Sequence, residues 1–504
     1  ACTCERLRQQ ALADRLRPGR PQSSPHGWVH GVSARACCLG RDDLALSASR
    51  PQPTRRYTDG MNTDNFDPLY TAEQTRALDA CAINDHDIPG ITLMSRAAAA
   101  TFDALLAAWP DPQCLQVLCG TGNNGGDGYL VADLAHKRGI EAVVHQLGDT
   151  GRIGGDAKLA REQALANGVV ERSYEQGVLE PRGVIVDAML GTGLGGDVRG
   201  AYATAIEEIN ATDAAVVAVD IPSGLCADSG RVLGAAVRAE LTVSFIGLKR
   251  GLFTLDAPDH VGELHFAGLG VPDAVYAAVP ADCHLLDLDT LLSTIPERPA
   301  VSHKGDYGSV LVIGGDHGMG GAGVMGAEAA LRCGTGLVRL ATRPEHVAAA
   351  IARVPEVMTR GIQDGLELLP LIDASDVLVV GPGLGQTDWS EQVLRMAHES
   401  GKAMVLDADG LNLLAEGRVI AAEPRSNCII TPHPGEAARL LRKSTADVQA
   451  DRFAAVSALQ ARFGGVAILK GNGSLIADGS QQWLCDYGTP GMASGGMGDV
   501  LSGV

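Results

Sequence analysis

The sequence predicts an α/β protein of two doubly wound parallel-sheet domains, and three observations carry that prediction. Its 504 residues exceed what one ordinary core holds. Short apolar runs rich in Val, Ile and Leu alternate with helical patterns, as parallel strands do when helices wind between them. The alternation lapses near residues 285–300, where Pro296 and Pro299 interrupt the chain, and then restarts. The segments expected are 1–60, which does not conform to the rest; a first domain, 61–285; a linker, 286–300; and a second domain, 301–504.

Composition narrows the class. Apolar residues make up 45 % and charged residues 20 %, the balance of a soluble globular protein. Apolar runs such as Ala214 to Val219 are far shorter than the roughly 20 residues that cross a bilayer, so no membrane partner is expected. A net charge of -19 argues against a general nucleic-acid binder, because phosphate backbones are held by surplus Lys and Arg. Any anionic ligand must then rely on local amides and helix ends. The 12 cysteines are scattered, with no Cys-x-x-Cys pair and no Cys/His spacing of a zinc site. That pattern points to a reduced, cytoplasmic setting.

Residues 1 to about 60 lack apolar periodicity and are rich in Arg, Pro and Ser. They read as upstream sequence ahead of a start at Met61, or as a tail without function. Thr71-Ala72-Glu73-Gln74 has the form of an N-capped helix start, and a second helix is expected from Leu93 to Trp109, stopped by Pro110. The apolar run Leu115 to Cys119 then empties into Gly120-Thr121-Gly122-Asn123-Asn124-Gly125-Gly126-Asp127-Gly128, expected as a loop before a helix from Tyr129 to Arg138. Five glycines in nine residues exceed what a turn needs, and strand, glycine loop and helix in succession suit phosphate binding. Strands follow at Glu141 to Gln146, Val184 to Asp187 and Ala214 to Asp220, with helices at Asp156 to Ala166 and from Tyr202.

In wound sheets ligands gather at the carboxyl ends of strands. Asp187 ends one strand and precedes Gly191-Thr192-Gly193-Leu194-Gly195-Gly196-Asp197, and Asp220 ends another inside Asp220-Ile221-Pro222-Ser223-Gly224. These stretches resemble the NAD(P)H-hydrate epimerase domain from about Tyr70 to Pro280. The resemblance implies a Rossmann-like fold and binding of the hydrated nucleotide by Asn123, Asn124, Gly125, Gly126 and Asp127 and by Gly191 through Asp197. It further implies a potassium ion (K+) held by Asn124, Asp187 and Ser223, and Asp220 as the catalytic group at the reacting ring. Lys249, in Gly247-Leu248-Lys249-Arg250-Gly251, also matches the family pattern. Inverting the hydroxyl-bearing carbon needs the ring to open, or to lose hydroxide, and reclose, which a carboxylate acting as acid and base assists.

The second domain restarts at Ser302-His303-Lys304-Gly305, with strands at Ser309 to Ile313, Leu337 to Ala341, Val377 to Val380 and Ala403 to Leu406 and a helix from Ala322 to Cys333. Gly381-Pro382-Gly383-Leu384-Gly385 follows the strand ending at Val380. Thr431-Pro432-His433-Pro434-Gly435-Glu436 follows Cys428 to Ile430, and Lys470-Gly471-Asn472-Gly473-Ser474 follows Val466 to Leu469. His433 between two prolines equally fits a cap of the helix opening at Glu436. Gly495-Gly496-Met497-Gly498-Asp499 opening a helix is similar to the anion hole of ribokinase-like kinases, where helix N-terminal amides face a transferring phosphoryl group and the Asp acts as base. Together these motifs resemble the ADP-dependent NAD(P)H-hydrate dehydratase over about 300 to 504. The resemblance implies substrate contacts at Ala322, Gly383, His433 and Asp499, nucleotide contacts at Lys470, Gly471, Asn472, Gly473, Ser474 and Gly498, and magnesium (Mg2+) accompanying ADP. Ser474 stands where the family pattern has Thr.

The reading is a two-domain repair enzyme for hydrated NADH and NADPH (NADHX and NADPHX). One domain would equilibrate the R and S hydrates, and the other would dehydrate the S form through phosphorylation of its hydroxyl and loss of phosphate. It is expected as a homo-oligomer with small-molecule partners. Val504 lies five residues after Asp499, and so short a helix predicts impaired dehydration. The competing reading is a ribokinase-like kinase of a vitamin alcohol, with the first domain as a regulator.

Overall fold

The computed structural model describes residues 55–57 and 67–504, except 418, 421 and 422. The expectations for residues 1–54 and 58–66, including a start at Met61, lie outside the described residues.

Two sheets form, the first wholly parallel and the second parallel except at 466–469/474–477, 474–477/482–485 and 283–285/67–70, and each has the strand order that creates a crevice. In the first, eight strands run 55–57, 263–267, 241–245, 215–219, 184–188, 114–119, 141–146, 170–173. Every neighbouring pair is parallel. Chain order runs outward in opposite directions from Cys114–Cys119, so the switch point lies between that strand and Val184–Ala188. A wound sheet binds its ligand at such a point. Both central strands are buried along their whole length. Strands covered by helices on both faces read as continuous apolar runs, which is why their limits are visible in the sequence. Leu241–Phe245 and Glu263–Ala267, which the sequence reading leaves unassigned, complete one flank.

The second sheet has twelve strands, ordered 358–361, 337–342, 309–313, 377–380, 403–406, 428–430, 466–469, 474–477, 482–485, 283–285, 67–70, 248–249. Its switch point lies between Ser309–Ile313 and Val377–Val380. The last three strands precede residue 286 in the chain, Cys283–Leu285 pairing parallel with Gln482–Cys485 and antiparallel with Asp67–Tyr70. The expected linker holds a helix, Leu288–Thr294, capped by Asp287. Thr71 and Gln74 close a capping box as the sequence predicts. Helix Gly90–Ala108 is long and apolar enough by composition to cross a membrane, yet it carries Arg96 and Asp103 and buries eight residues between Leu93 and Leu105, all but Thr101 in the first core.

One expectation is corrected. The stretch from Asn123 to Gly128 is not a loop but the first turns of helix Asn123–Lys137, with Gly122 as N-cap. Its glycines serve close packing. A Cβ at Gly125 would lie 2.2 Å from the Gly120 carbonyl oxygen, one at Gly126 2.7 Å from the Met94 sulfur, and one at Gly128 2.5 Å from the Ala188 methyl and 2.8 Å from the Cys119 sulfur. The helix therefore sits deeper on the sheet than any side chain permits. Ala normally favours a helix interior over Gly by about 1 kcal/mol. Gly128→Ala is nevertheless expected to destabilise the chain by about 1–3 kcal/mol, because the added methyl overpacks a rigid contact. Urea unfolding measures it, and a stabilised variant would contradict this account.

Candidate functional site

Four loops leave the carboxyl ends of four adjacent strands in the first sheet. They follow Cys114–Cys119, Val184–Ala188, Ala215–Val219 and Leu241–Phe245, and they deliver Asn124, Asp187, Asp220 and Lys249 to one edge. Asp187 is fully buried and accepts hydrogen bonds from Ser223 Oγ at 2.6 Å, Ser223 N at 2.7 Å and Met189 N at 3.3 Å. Burial raises its carboxyl to about 6, against the lowering effect of those donors. Ser223 Oγ also accepts from Leu190 N at 2.9 Å. Beside Leu190, a Cβ on Gly191 would lie 3.4 Å from Cβ of Asn124. Both amide atoms of Asn124 are buried without a hydrogen-bond partner. An orphaned buried amide costs about 1–3 kcal/mol, so it marks a place where something outside the chain belongs. An amide, a carboxylate and a hydroxyl supply oxygen donors, the set a hard cation takes.

Beside this trio lies a charge cluster. Asp220 holds φ of +67°, a left-handed conformation uncommon for a residue with a side chain, and its carboxylate pairs with Lys249 Nζ. Lys249 is wholly buried and also donates to Phe245 O at 2.9 Å and Ser244 Oγ at 3.1 Å. Burial pushes the Asp127 carboxyl well above the usual carboxylate range, the charges of Asp220 and Asp79 adding to it and Lys249 opposing. Asp79, on helix Ala72–Asn84, is absent from the sequence reading. Its polar spacing on an outer helix gave no signal, and only the fold turns it toward Lys249.

Other sequence-chosen residues fall at different depths. Gly125 and Gly126 face inward as packing contacts, while Asn123, Gly193, Gly195, Gly196 and Asp197 are exposed. Leu194 packs partly on the core beneath, and Thr192 O accepts a long 3.5 Å bond from Arg76.

In the second sheet the strands ending at Ile313, Val380, Leu406, Ile430 and Leu469 are successive parallel neighbours. Their loops assemble a second cluster. Lys470 Nζ lies 2.7 Å from Asp407 Oδ1 and 4.0 Å from Glu436 Oε2. The other Asp407 oxygen accepts from Ser502 Oγ at 2.6 Å. Ser502 stands on the closing helix, Met497–Gly503, whose N-cap Gly496 has φ of +91°. That helix packs on Gly320–Arg332 so closely that a Cβ at Gly503 would lie 2.0 Å from the Gly326 carbonyl oxygen. Burial raises the Asp499 carboxyl, Asp407 and Asp409 reinforcing it and Lys470 opposing. A Cβ on Gly498 would lie 3.4 Å from Lys470 Nζ, and one on Gly383 2.9 Å from the Ala322 methyl. These contacts bring the sequence-chosen groups of the second half around one crevice.

His433 plays the capping part: its Nδ1 accepts from Gly435 N at 3.0 Å, and Glu436 accepts from His433 N at 2.7 Å. Its ring is half exposed on the same rim. Asp407 and Asp409 escaped the sequence reading, although Asp407 directly follows a strand, near the carboxyl end where Asp187 also stands. Ser474 Oγ donates to Gly471 O at 3.2 Å, within the loop.

The Asp79 carboxyl titrates at about 6, raised by burial, lowered by Lys249 and raised again by Asp220. Its folded pKa exceeds the unfolded value near 3.9, so the group costs stability progressively as pH rises through that window. Asp79→Asn is expected to stabilise the chain by about 1–2 kcal/mol at pH 8 and to lose that advantage at pH 4. Melting curves at the two pH values check it, and an equal gain at both would contradict it.

The family model described as NAD(P)H-hydrate dehydratase matches residues 310–504, and that described as YjeF-related protein N-terminus matches residues 90–251. The "Bifunctional NAD(P)H-hydrate repair enzyme Nnr" of Coxiella burnetii is 46 % identical over 437 residues, 86 % of this chain and 88 % of that protein. The enzyme of the same name from Escherichia coli is 44 % identical over 83 % of this chain and 81 % of its own length. A solved Bacillus subtilis protein, described as ADP/ATP-dependent NAD(P)H-hydrate dehydratase co-crystallized with ATP/Mg2+, is 29 % identical, with a TM-score of 0.37, covering 43 % of this chain and 76 % of that one. Both halves match, in order and at substantial identity, so the chain belongs to the bifunctional NAD(P)H-hydrate repair enzyme family.

Proposed function

We infer that the chain repairs hydrated NADH and NADPH: its first half interconverts the R and S hydrates, and its second half dehydrates the S form with ADP. The observation that carries this is the family match over both halves. The kinase reading fits one half alone.

In the first half, the cluster around Lys249 supplies both proton-transfer roles. Asp127, whose carboxyl burial favours in its protonated form, protonates the hydrate's hydroxyl so that it departs as water, and Asp220, oriented by Lys249, takes the proton of the water that re-adds to the opposite face of the ring. Inversion leaves no net proton change, so one donor and one acceptor suffice. Asn124, Asp187 and Ser223 would hold potassium, which would supply positive charge near the nucleotide's phosphates. The unpartnered Asn124 amide supports that assignment.

In the second half, Asp499 removes the proton of the S-hydrate hydroxyl as its oxygen attacks the terminal phosphorus of ADP and AMP departs. Loss of phosphate with a ring proton then restores the dihydronicotinamide. Lys470, fixed between Asp407 and Glu436, faces the nucleotide, and magnesium would accompany ADP, neutralising the phosphates. Ala322, Gly383 and His433 line the hydrate's side of the crevice. The cysteine pattern supports a cytoplasmic setting.

Mixed R and S NADH hydrates, incubated without nucleotide, with ADP or with ATP and resolved by chromatography, test both halves. The S form is expected to become NADH only with nucleotide, the R form following. Asp220→Asn should slow epimer exchange by about 10²-fold or more while S-hydrate dehydration persists. Asp499→Asn should do the reverse. Loss of both activities in either variant, with the protein folded, would refute the division of labour.

A further inference from the structure

The loop Lys470 to Ser474 is held from two opposite sides, and neither hold is needed to make a turn. From inside, Arg452 opens helix Arg452–Phe463 and is 1 % exposed, among the largest wholly buried side chains of the described residues. Its guanidinium donates to four carbonyl oxygens around this loop. Nη1 reaches Asn472 O at 3.1 Å; Nη2 reaches Gly473 O at 3.0 Å, Leu469 O at 3.3 Å and Lys470 O at 3.4 Å. Gly471 has φ of +146°, and a Cβ there would lie 2.6 Å from Nη1, so the loop wraps the guanidinium as closely as backbone can. Burying a cation costs several kcal/mol unless its hydrogen bonds are met; here loop carbonyls rather than a carboxylate meet both terminal nitrogens, while the buried Nε has no partner.

From outside, the first half of the chain clasps the same loop. Asn472 O accepts from Thr254 Oγ1 at 2.9 Å and Leu255 N at 3.2 Å, and the Asn472 amide donates to Leu255 O. A Cβ at Gly473, φ of +67°, would lie 2.6 Å from Phe253 O. Arg250 adds a stacking contact, its guanidinium 4.2 Å from the ring centre of Phe453, next to Arg452. The Asn472 side chain is thereby spent on Leu255, leaving Lys470 and loop N–H groups for a ligand.

We propose that Arg452 and Thr254 are positioning residues for the nucleoside diphosphate: by fixing the carbonyls of residues 469–473 they turn the loop's N–H groups and Lys470 toward the phosphates. A peptide whose carbonyl is tied to a buried cation presents its N–H on the opposite side; Lys470 N is given to Pro432 O at 3.0 Å, which leaves the N–H groups of Gly471 and Gly473, peptide partners of the Lys470 and Asn472 carbonyls. The proposal rests on the reading of Lys470 to Ser474 as the nucleotide loop. It adds that this site is completed by residues of the epimerase half.

The test uses the full chain. Titration calorimetry with ADP and magnesium, and steady-state dehydration of the S hydrate, are run on the parent, Arg452→Lys and Thr254→Val. Arg452→Lys keeps the charge but cannot span four carbonyls. It should weaken ADP binding and raise its KM about tenfold, equivalent to about 1.4 kcal/mol, leaving the hydrate KM, kcat at saturating ADP and epimer exchange within about twofold. Thr254→Val, which removes one donor from the opposite side, should raise the ADP KM about threefold, a loss of the size of one neutral hydrogen bond. It also serves if Arg452→Lys does not fold. Unchanged ADP affinity in a folded variant, or a parallel decline of ADP affinity, hydrate KM and epimer exchange, would overturn the proposal. A parent chain that binds no ADP would instead overturn the nucleotide reading beneath it.

Discussion

The contact on which the first site depends is the approach of helix Asn123–Lys137 to the sheet. Glycines at 120, 125, 126 and 128 remove every methyl that would hold helix and strands apart. The helix start thus comes beside the loop after Val184–Ala188, and Asn124 and Asp127 arrive at the depth of Asp187 and Asp220. At ordinary helix-to-sheet spacing the amide of Asn124 would be solvated and Asp127 would be an unremarkable surface carboxylate. The orphaned amide and the raised carboxyl are consequences of that short distance.

Each half then solves the same electrostatic problem in the same way. One lysine is placed among several carboxylates at the carboxyl edge of a parallel sheet: Lys249 with Asp220, Asp127 and Asp79, and Lys470 with Asp407, Glu436 and Asp499. One cation serves three carboxylates unequally, so burial and mutual repulsion raise the worse-served ones, Asp127 and Asp499, above the usual carboxylate range. Groups of unlike protonation a few ångströms apart are what acid–base and phosphoryl-transfer chemistry require.

Much of this was legible in the sequence, and what was not has definite causes. The strands Glu141–Gln146, Ser309–Ile313, Val377–Val380, Ala403–Leu406, Cys428–Ile430 and Val466–Leu469 stand where the sequence predicts them, because each has a short apolar centre bounded by polar or turn residues, even where, as at Glu141 and Ile429, one residue is exposed. Leu241–Phe245 escaped because Thr242 and Ser244 interrupt its apolar run; both are buried, Thr242 donating to Val261 O and Ser244 accepting from Lys249. The glycine stretch was misassigned as a loop because glycine density marks turns and close packing alike, and only the neighbours at 2–3 Å distinguish them. Asp79 and Arg452 were invisible for a different reason: each works through a partner far away in sequence, and no local pattern encodes that.

The pairing of Cys283–Leu285 with Gln482–Cys485 carries a consequence for how such a fusion is inherited. The second sheet does not end within its own half; Asp67–Tyr70, Leu248–Lys249 and Cys283–Leu285 finish it. A gene split between the halves would leave the 482–485 strand with a bare hydrogen-bonding edge, open to pairing with another copy. Separation would therefore demand new residues to cover that edge, so the two activities are tied by backbone pairing as well as by a shared polypeptide.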